Sequence, residues 1–525
     1  MKRLVCFMLA AVLSCSVFLT GCSSGKTEDS QGAQADTETK TETELPNIVR
    51  TSISSEPDSL DPWQSAATDT EAIFHNVFEG LFVYNEKGEL EPGLAESYDV
   101  SEDGLTYTFH LRDNVTFHNG KAMTSADVLY TYENLAGMNG EKAASSKFGT
   151  VESINAVDDY TFEIKLSEPS ASFLASNIVA VLPEGYTEQS QHPIGTGPYK
   201  FKEYIPGQKV VLELNEDYYE ESRKGSIQTV EVYIMTDASS VVTALRSGQL
   251  DFASVSVDNA NALAEDFDIY NSAQNMVQIF ALNNSIEPLN DVRVRQAINY
   301  AINKDAVIEG VFDGYATKLY SNFSPVMAVY YNDQLEDTYP TDVEKAKELL
   351  AAIARVDAHN FSGINYGCWC DFSLPANYAS HVDTALIFAD QLAQVGINVQ
   401  VETIEWATWL EDVYSNAQYE STIIGLTGKL DPDSVLGRFE TTYSKNFFKF
   451  SNARYDELIQ AARVELDETK RADMYKECQQ ILTEEAAAVF VCDPNLTVAC
   501  RKDLKGYTFY PVGFIDFSKL SYEAQ

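Results

Sequence analysis

The chain has 525 residues, with 37 Lys and Arg against 79 Asp and Glu and a formal charge of −42 at pH 7. A field of that sign repels nucleic acid and anionic lipid headgroups, so it argues against nucleic-acid partners and against a basic membrane contact. Hydrophobic residues make up 45% of the sequence, ample for large cores, and the length predicts more than one domain.

Met1-Lys2-Arg3 precedes an apolar stretch over residues 4–18, which ends in Leu19-Thr20-Gly21-Cys22. A basic start before about fifteen apolar residues reads as a secretory signal, too short for a bilayer span of roughly 20. The ending resembles a bacterial lipobox, so residues 1–22 are expected to be a lipoprotein signal in which Cys22 takes the lipid. Residues 23–46 are dominated by Thr, Glu, Ser, Gln and Asp. Such a segment cannot bury enough apolar surface to offset chain entropy, and it is expected to be a disordered acidic tether. As a coil it reaches on the order of 25–30 Å. The expected address is the cell membrane, lipid-anchored on its extracytoplasmic side, the outer surface in a Gram-positive cell.

Residues 47–54 read as a strand, followed by the turn-rich Glu56-Pro57-Asp58-Ser59-Leu60-Asp61-Pro62. Residues 70–81 have helical spacing in Ile73, Val77, Phe78 and Leu81. Residues 105–111 and 160–166 alternate strictly, which predicts strands with one buried face. Residues 125–135 open on a capping-type Ser and read as a helix. Residues 210–214 and 230–234 are further strands, and 238–247 is a helix stopped at Gly248. Helices are predicted over 291–302, from 305 onward, and over 341–353, 379–395, 406–414, 455–463 and 469–485. Strands are predicted over 397–401 and 489–491. The mixture predicts an α/β chain of more than one lobe.

Of eight cysteines, Cys6 and Cys15 leave with the signal and Cys22 is lipidated. Cys368, Cys370, Cys478, Cys492 and Cys500 remain, an odd number that leaves at least one free thiol. Cys492 and Cys500 flank a Pro-Asn pair and are expected to face each other across a hairpin. The six histidines are scattered, so no metal site and no cofactor is expected.

Several motifs then accumulate in order: Glu56-Pro57-Asp58-Ser59-Leu60-Asp61-Pro62, Phe78-Glu79-Gly80-Leu81 and Pro92-Gly93-Leu94-Ala95-Glu96-Ser97-Tyr98. Asp103-Gly104-Leu105-Thr106-Tyr107-Thr108-Phe109, residues 111–120 and Ser125-Ala126-Asp127-Val128 continue the series. Pro193-Ile194-Gly195-Thr196-Gly197-Pro198-Tyr199 and Val292-Arg293-Val294-Arg295-Gln296-Ala297-Ile298 complete it. Together they resemble the family 5 extracellular solute-binding proteins, the peptide and nickel receptors of ABC importers. The resemblance implies a two-lobed, type II periplasmic-binding-protein fold with an inserted subdomain and a ligand cleft between the lobes. Lobe I would comprise 47–75, 192–285 and 493–525, with the subdomain at 76–191; lobe II would be 286–492. Closure on a solute would be read by permease subunits, and the chain is expected to act as a monomer.

From the residues themselves, Gly195, Gly197 and Pro198 read as a tight turn. Arg112 and Arg295 read as ties to carboxylates, and His110 and His118 as satisfied surface histidines. At the expected ligand loop, residues 424–433, Lys429 stands roughly where peptide-binding relatives carry an acid, and the arginine for a dipeptide carboxylate has only Pro375 nearby. A dipeptide clamp is therefore not expected. An oligopeptide held through its main chain is the leading reading, with Ala66-Ala67-Thr68 offering backbone pairing. An oligosaccharide, a metal chelate or a sensor role is the alternative. Candidate ligand residues are Thr68, Trp369, His381, Lys429, Asp431 and Asp433. Lys429 either grips a carboxylate or stands exposed, Trp369 either stacks on solute or packs in core, and Asp431 and Asp433 either face ligand or cap turns. Trp406 and Trp409 read as core. With no Gly-x-Ser-x-Gly, His-Glu-x-x-His or Walker loop, no enzyme activity is expected.

Overall fold

The computed structural model describes residues 46–65, 67–138, 140, 143–352, 364–368, 378–404, 408–427 and 430–523. Cys22, the tether to residue 45, Ala66, Trp369, Cys370, Pro375, Trp406 and Lys429 lie outside them.

The strict alternators are strands with one apolar face. Ile48–Ile53, Thr106–Leu111 and Thr161–Leu166 each bury every second residue. Ile48–Ile53 pairs parallel with Thr229–Ile234, which continues antiparallel into Lys209–Leu214 and Tyr199–Ile205. A second sheet runs Ala95–Val100, Thr106–Leu111, Thr161–Leu166 and Val151–Asp158, all antiparallel. Helix Ser125–Ala136 closes one face of it, with Val128 and Tyr132 packed among Phe109, Phe148 and Phe162.

The third sheet has eight strands. Its path runs Phe252–Ser254, Ala488–Arg501, Met276–Leu282, Ser421–Thr427, Ile364–Cys368 and Val399–Thr403, and Phe267–Ala273 and Ala316–Lys318 also pair with the long strand. Met276–Leu282 is buried at all seven positions. Phe280 and Leu282 enter a core with helices Val292–Ala301, Lys304–Phe312 and Tyr378–Ala393. Val277, Ile279 and Ala281 enter another with Ala453–Val464 and Glu468–Glu484. Burial on both faces is why this strand is apolar at every position but Gln278 and shows no alternation.

Most predicted helices stand near their expected limits. Ala238–Ser247 ends at Gly248, whose φ of 75° a residue with a β-carbon adopts only at a cost. Helix Thr68–Phe74 is shorter than residues 70–81, because Val77 and Phe78 are buried as the chain turns after His75. Helix Ser125–Ala136 is capped by Thr124, whose backbone N–H donates to Asp127, rather than by Ser125. The Ser125 hydroxyl donates instead to the Asp158 carbonyl.

The hairpin expected between Cys492 and Cys500 does not form. Both lie on the single strand Ala488–Arg501, and Pro494-Asn495 sits where that strand changes partner, not in a turn. Eight extended residues separate the two by roughly 25 Å, far beyond disulfide reach. Cys478, Cys492 and Cys500 are free and buried.

Candidate functional site

The long strand Ala488–Arg501 decides where the site can be. Residues 488–492 pair with Met276–Leu282, while 495–501 pair with Phe267–Ala273. The two legs join through Gln274-Asn275, where Asn275 has φ 59°. Two stretches of backbone thus change partner side by side, and Asp493 is buried between them. Its carboxylate accepts the Gln274 N–H at 3.3 Å, the Met276 N–H at 3.2 Å and the Ser324 hydroxyl at 2.6 Å. Burial pushes its carboxyl up to about 6 against those stabilising bonds.

Away from this crossing, segments distant in sequence meet. The Ala171 N–H donates to the Arg463 carbonyl at 2.9 Å. A β-carbon on Gly104 would overlap the Leu466 side chain, and one on Gly88 would sit 2.9 Å from Leu430 Cδ1 and 3.5 Å from Pro511 Cγ. The 510–517 segment is held by Asn76, whose side chain donates to the Ile515 carbonyl at 2.7 Å and accepts the Phe517 N–H at 2.9 Å. Phe514 stacks on His75 at 4.1 Å, and burial lowers that imidazole to about 4 despite nearby Asp516.

Thr68 is exposed at the start of its helix, with its methyl 3.6 Å from where a β-carbon on Gly513 would be. Asp431 caps helix Pro432–Leu436 through the Asp433 N–H and accepts from Arg471 Nη2 at 2.7 Å. Asp433 accepts from Arg463 Nε at 2.8 Å, and burial still raises its carboxyl. The Tyr84 phenol is pushed up by burial, and the Asp431 carboxylate adds to the rise. His381 is buried, its Nε2 3.9 Å from where a β-carbon on Gly425 would be, beside Met276. The structure therefore places Thr68, Asp431 and the 510–514 segment in one neighbourhood, while His381, on helix Tyr378–Ala393, packs against strand Ser421–Thr427 at Gly425. Sequence reasoning missed residues 510–514, because Tyr510-Pro511-Val512-Gly513-Phe514 has no periodicity and matters only through the segments that fold onto it. Trp409 is core, 2% exposed, with its indole N–H on Thr422.

The recurring motifs do structural chemistry. Glu79 is buried and accepts hydroxyls from Thr196, Tyr218 and Tyr219 at 3.0, 2.7 and 3.0 Å, with Arg223 at 3.9 Å. Gly195 and Gly197 are required by backbone approach rather than by a tight turn: a β-carbon on either would overlap the carbonyl of Val77 or Asn76. His118 is half-buried rather than exposed, and its ring is satisfied. Its Nδ1 accepts the Gly195 N–H at 3.3 Å and its Nε2 meets the Gly197 carbonyl at 3.0 Å, while burial lowers it to about 4 and keeps it neutral. His110 is exposed beside Asp99. Arg112 and Arg295 do tie segments together, but through carbonyls and not carboxylates. Arg112 donates to Gly93, and Arg295 donates to Leu289, Glu485 and Ala486. Carbonyls are exposed wherever a helix or strand ends, and an arginine fork spans several of them.

The family model of the bacterial extracellular solute-binding proteins, family 5 Middle, matches residues 89–447. The dipeptide-binding protein of Escherichia coli is 29% identical over 483 residues, 83% of this chain and 86% of that protein. The oligopeptide-binding protein AppA of Bacillus subtilis is 26% identical over 537 residues, 97% of each. The solved structure of the periplasmic binding protein DppA of Helicobacter pylori, in complex with peptide STSA, superposes with a TM-score of 0.73. It is 26% identical and covers 91% of this chain and 99% of that one. These likenesses give the fold as the two-lobed, mixed α/β arrangement of periplasmic binding proteins, and the matched family consists of binding proteins rather than enzymes. The chain belongs to the bacterial extracellular solute-binding proteins of family 5.

Proposed function

We propose that the protein is the solute-binding lipoprotein of an ABC importer, which captures an oligopeptide by hinge closure and hands it to a membrane permease. The observation that carries this reading is the strand Ala488–Arg501, which pairs with both legs of the Phe267–Ala273 and Met276–Leu282 connection. Two adjacent backbone crossings are what a hinge needs, because a few φ/ψ changes there swing whole sheets as bodies. The contacts of Ala171 with Arg463 and of Gly88 with Leu430 suit a closed state, in which residues 76–191 of lobe I meet 286–492 of lobe II. Lobe I would also take 47–75, 192–285 and 493–525. The peptide would lie along Thr68, His381, Asp431 and Asp433, together with Trp369 and Lys429. The dipeptide- and oligopeptide-binding relatives support peptide over other solutes.

Cys22 would carry the lipid, and the tether would keep a monomeric receptor at high effective concentration beside its permease. Native mass spectrometry of the purified protein tests the solute. A ladder of co-purified peptide masses that disappears on unfolding is expected, whereas a single sugar or chelate mass would overturn the peptide reading.

A further inference from the structure

Arg438 sits in the short turn Gly437–Phe439 that follows helix Pro432–Leu436. Its Nη2 donates to the Thr427 carbonyl at 2.6 Å, at the carboxyl end of strand Ser421–Thr427. Among the described residues no carboxylate forms an ion pair with it, and this bond is the only one its guanidinium makes. The neighbouring arginines differ. Arg463 pairs with Asp433 and Glu440, and Arg471 with Asp431. Arg295 lacks a carboxylate but fills its fork with three carbonyls.

Burial lowers the Arg438 guanidinium, and the phenols of Tyr414 and Tyr443, neutral at pH 7, lie close to it. A second cation stands on the same phenol: Lys445 Nζ lies 5.2 Å from the Tyr414 ring centre, and it too has no ion-pair partner among the described residues. In a chain with 79 acids and 37 bases, two such cations converging on one tyrosine are out of keeping with the charge balance. A partly desolvated guanidinium is stabilised by a bidentate anion, and its planar fork fits a carboxylate. Ser421–Thr427 runs parallel to Ile364–Cys368, and parallel sheets present their ligand sites at the carboxyl ends of the strands.

We propose that Arg438, with Lys445 and the Tyr414 and Tyr443 hydroxyls around it, receives a carboxylate of the bound solute. The inference rests on the solute-binding reading above and adds the anionic chemistry that reading leaves open. The carboxylate is either the C-terminus of a peptide or an acidic side chain. The full chain, stripped of solute by reversible unfolding, is offered three synthetic pools of random pentapeptides. One has free C-termini with Asn and Gln replacing Asp and Glu, one has amidated C-termini with Asp and Glu retained, and one lacks both kinds of carboxylate. Retention is read by native mass spectrometry for the wild-type chain, Arg438→Gln, Arg438→Lys and Lys445→Gln.

Arg438→Gln is expected to lose one carboxylate pool by roughly 30-fold or more, the loss typical of removing one partner of a buried charge pair. It should retain the pool without carboxylates as the wild type does, with Arg438→Lys in between. Loss of the free-C-terminus pool identifies a terminal carboxylate, and loss of the amidated pool an acidic side chain. Equal retention of all pools by wild type and Arg438→Gln overturns the proposal. If Arg438→Gln does not fold, Lys445→Gln carries the same comparison at a smaller effect. If the wild type retains no pool, the peptide reading falls and succinate decides the site. A thermal shift by succinate in the wild type that Arg438→Gln or Lys445→Gln lacks supports the proposal, and its absence overturns it.

Discussion

Replacing Asp493 by Asn tests the physical account of the hinge. The Asp493 carboxylate is wholly buried and is held by the N–H groups of Gln274 and Met276 and by the Ser324 hydroxyl. Burial dominates these bonds and moves its carboxyl from 3.8 up to about 6. An acid raised in the native state binds its proton more tightly there than in the unfolded chain. The native chain is therefore favoured below 3.8, and that advantage is lost as pH rises towards 6. Each pH unit between the two values is worth about 1.4 kcal/mol, so ionising Asp493 costs the native state about 3 kcal/mol by neutral pH. Asn keeps an oxygen for the Gln274 and Met276 N–H groups, and its amide can donate to Ser324, without a charge to bury. Urea unfolding of wild type and Asp493→Asn at pH 4, 5, 6 and 7.5 reads the difference, and taking the difference cancels titrations elsewhere. The stability of Asp493→Asn relative to wild type should rise by up to about 3 kcal/mol from pH 4 to 7.5, with most of the change below pH 6. A difference that stays constant with pH, or falls, would refute the account.

Glu79→Ala strands three hydroxyls and leaves Arg223 without its buried partner, so a loss of about 3–5 kcal/mol is expected in chemical denaturation; a loss below about 1 kcal/mol would deny the network its role. Gly195→Ala places a methyl on the Val77 carbonyl oxygen and should lower stability by about 1–3 kcal/mol or prevent folding, and a wild-type melting temperature would contradict it. His118, lowered to about 4 by burial, should stay neutral at pH 5.5 by NMR; its stabilisation, complete above its unfolded value of 6.5, drains away as pH falls towards 4. Leu466→Asp puts a charge against Gly104 and should favour an opened chain, seen as a larger radius of gyration in small-angle scattering; an unchanged radius would show that this contact does not hold the two parts together.

What the sequence determined by itself was local. Alternation in Thr106–Leu111 and Thr161–Leu166 names strands because a half-buried sheet needs a period of two. Gly248 ends its helix because only a residue without a β-carbon takes that φ freely. The linear order of the motifs was enough to identify the family, and with it the fold. What only the tertiary structure decided was partnership. Nothing near Pro494 says that the strand runs straight on while its partner changes, so Cys492 and Cys500 looked like the arms of a hairpin. Arg295 looked like half of an ion pair, yet it is satisfied by the carbonyls of three residues, two of them nearly 200 positions away. Asp431 and Asp433 could be seen as turn residues, but their arginines lie on other helices. Arg438 carried no sequence signal at all, since its lack of a counter-charge among the described residues becomes visible only once their carboxylates have been placed. Backbone geometry repeats over a few residues and can be read along the chain, whereas charge pairing and close backbone approach depend on segments that meet only after folding.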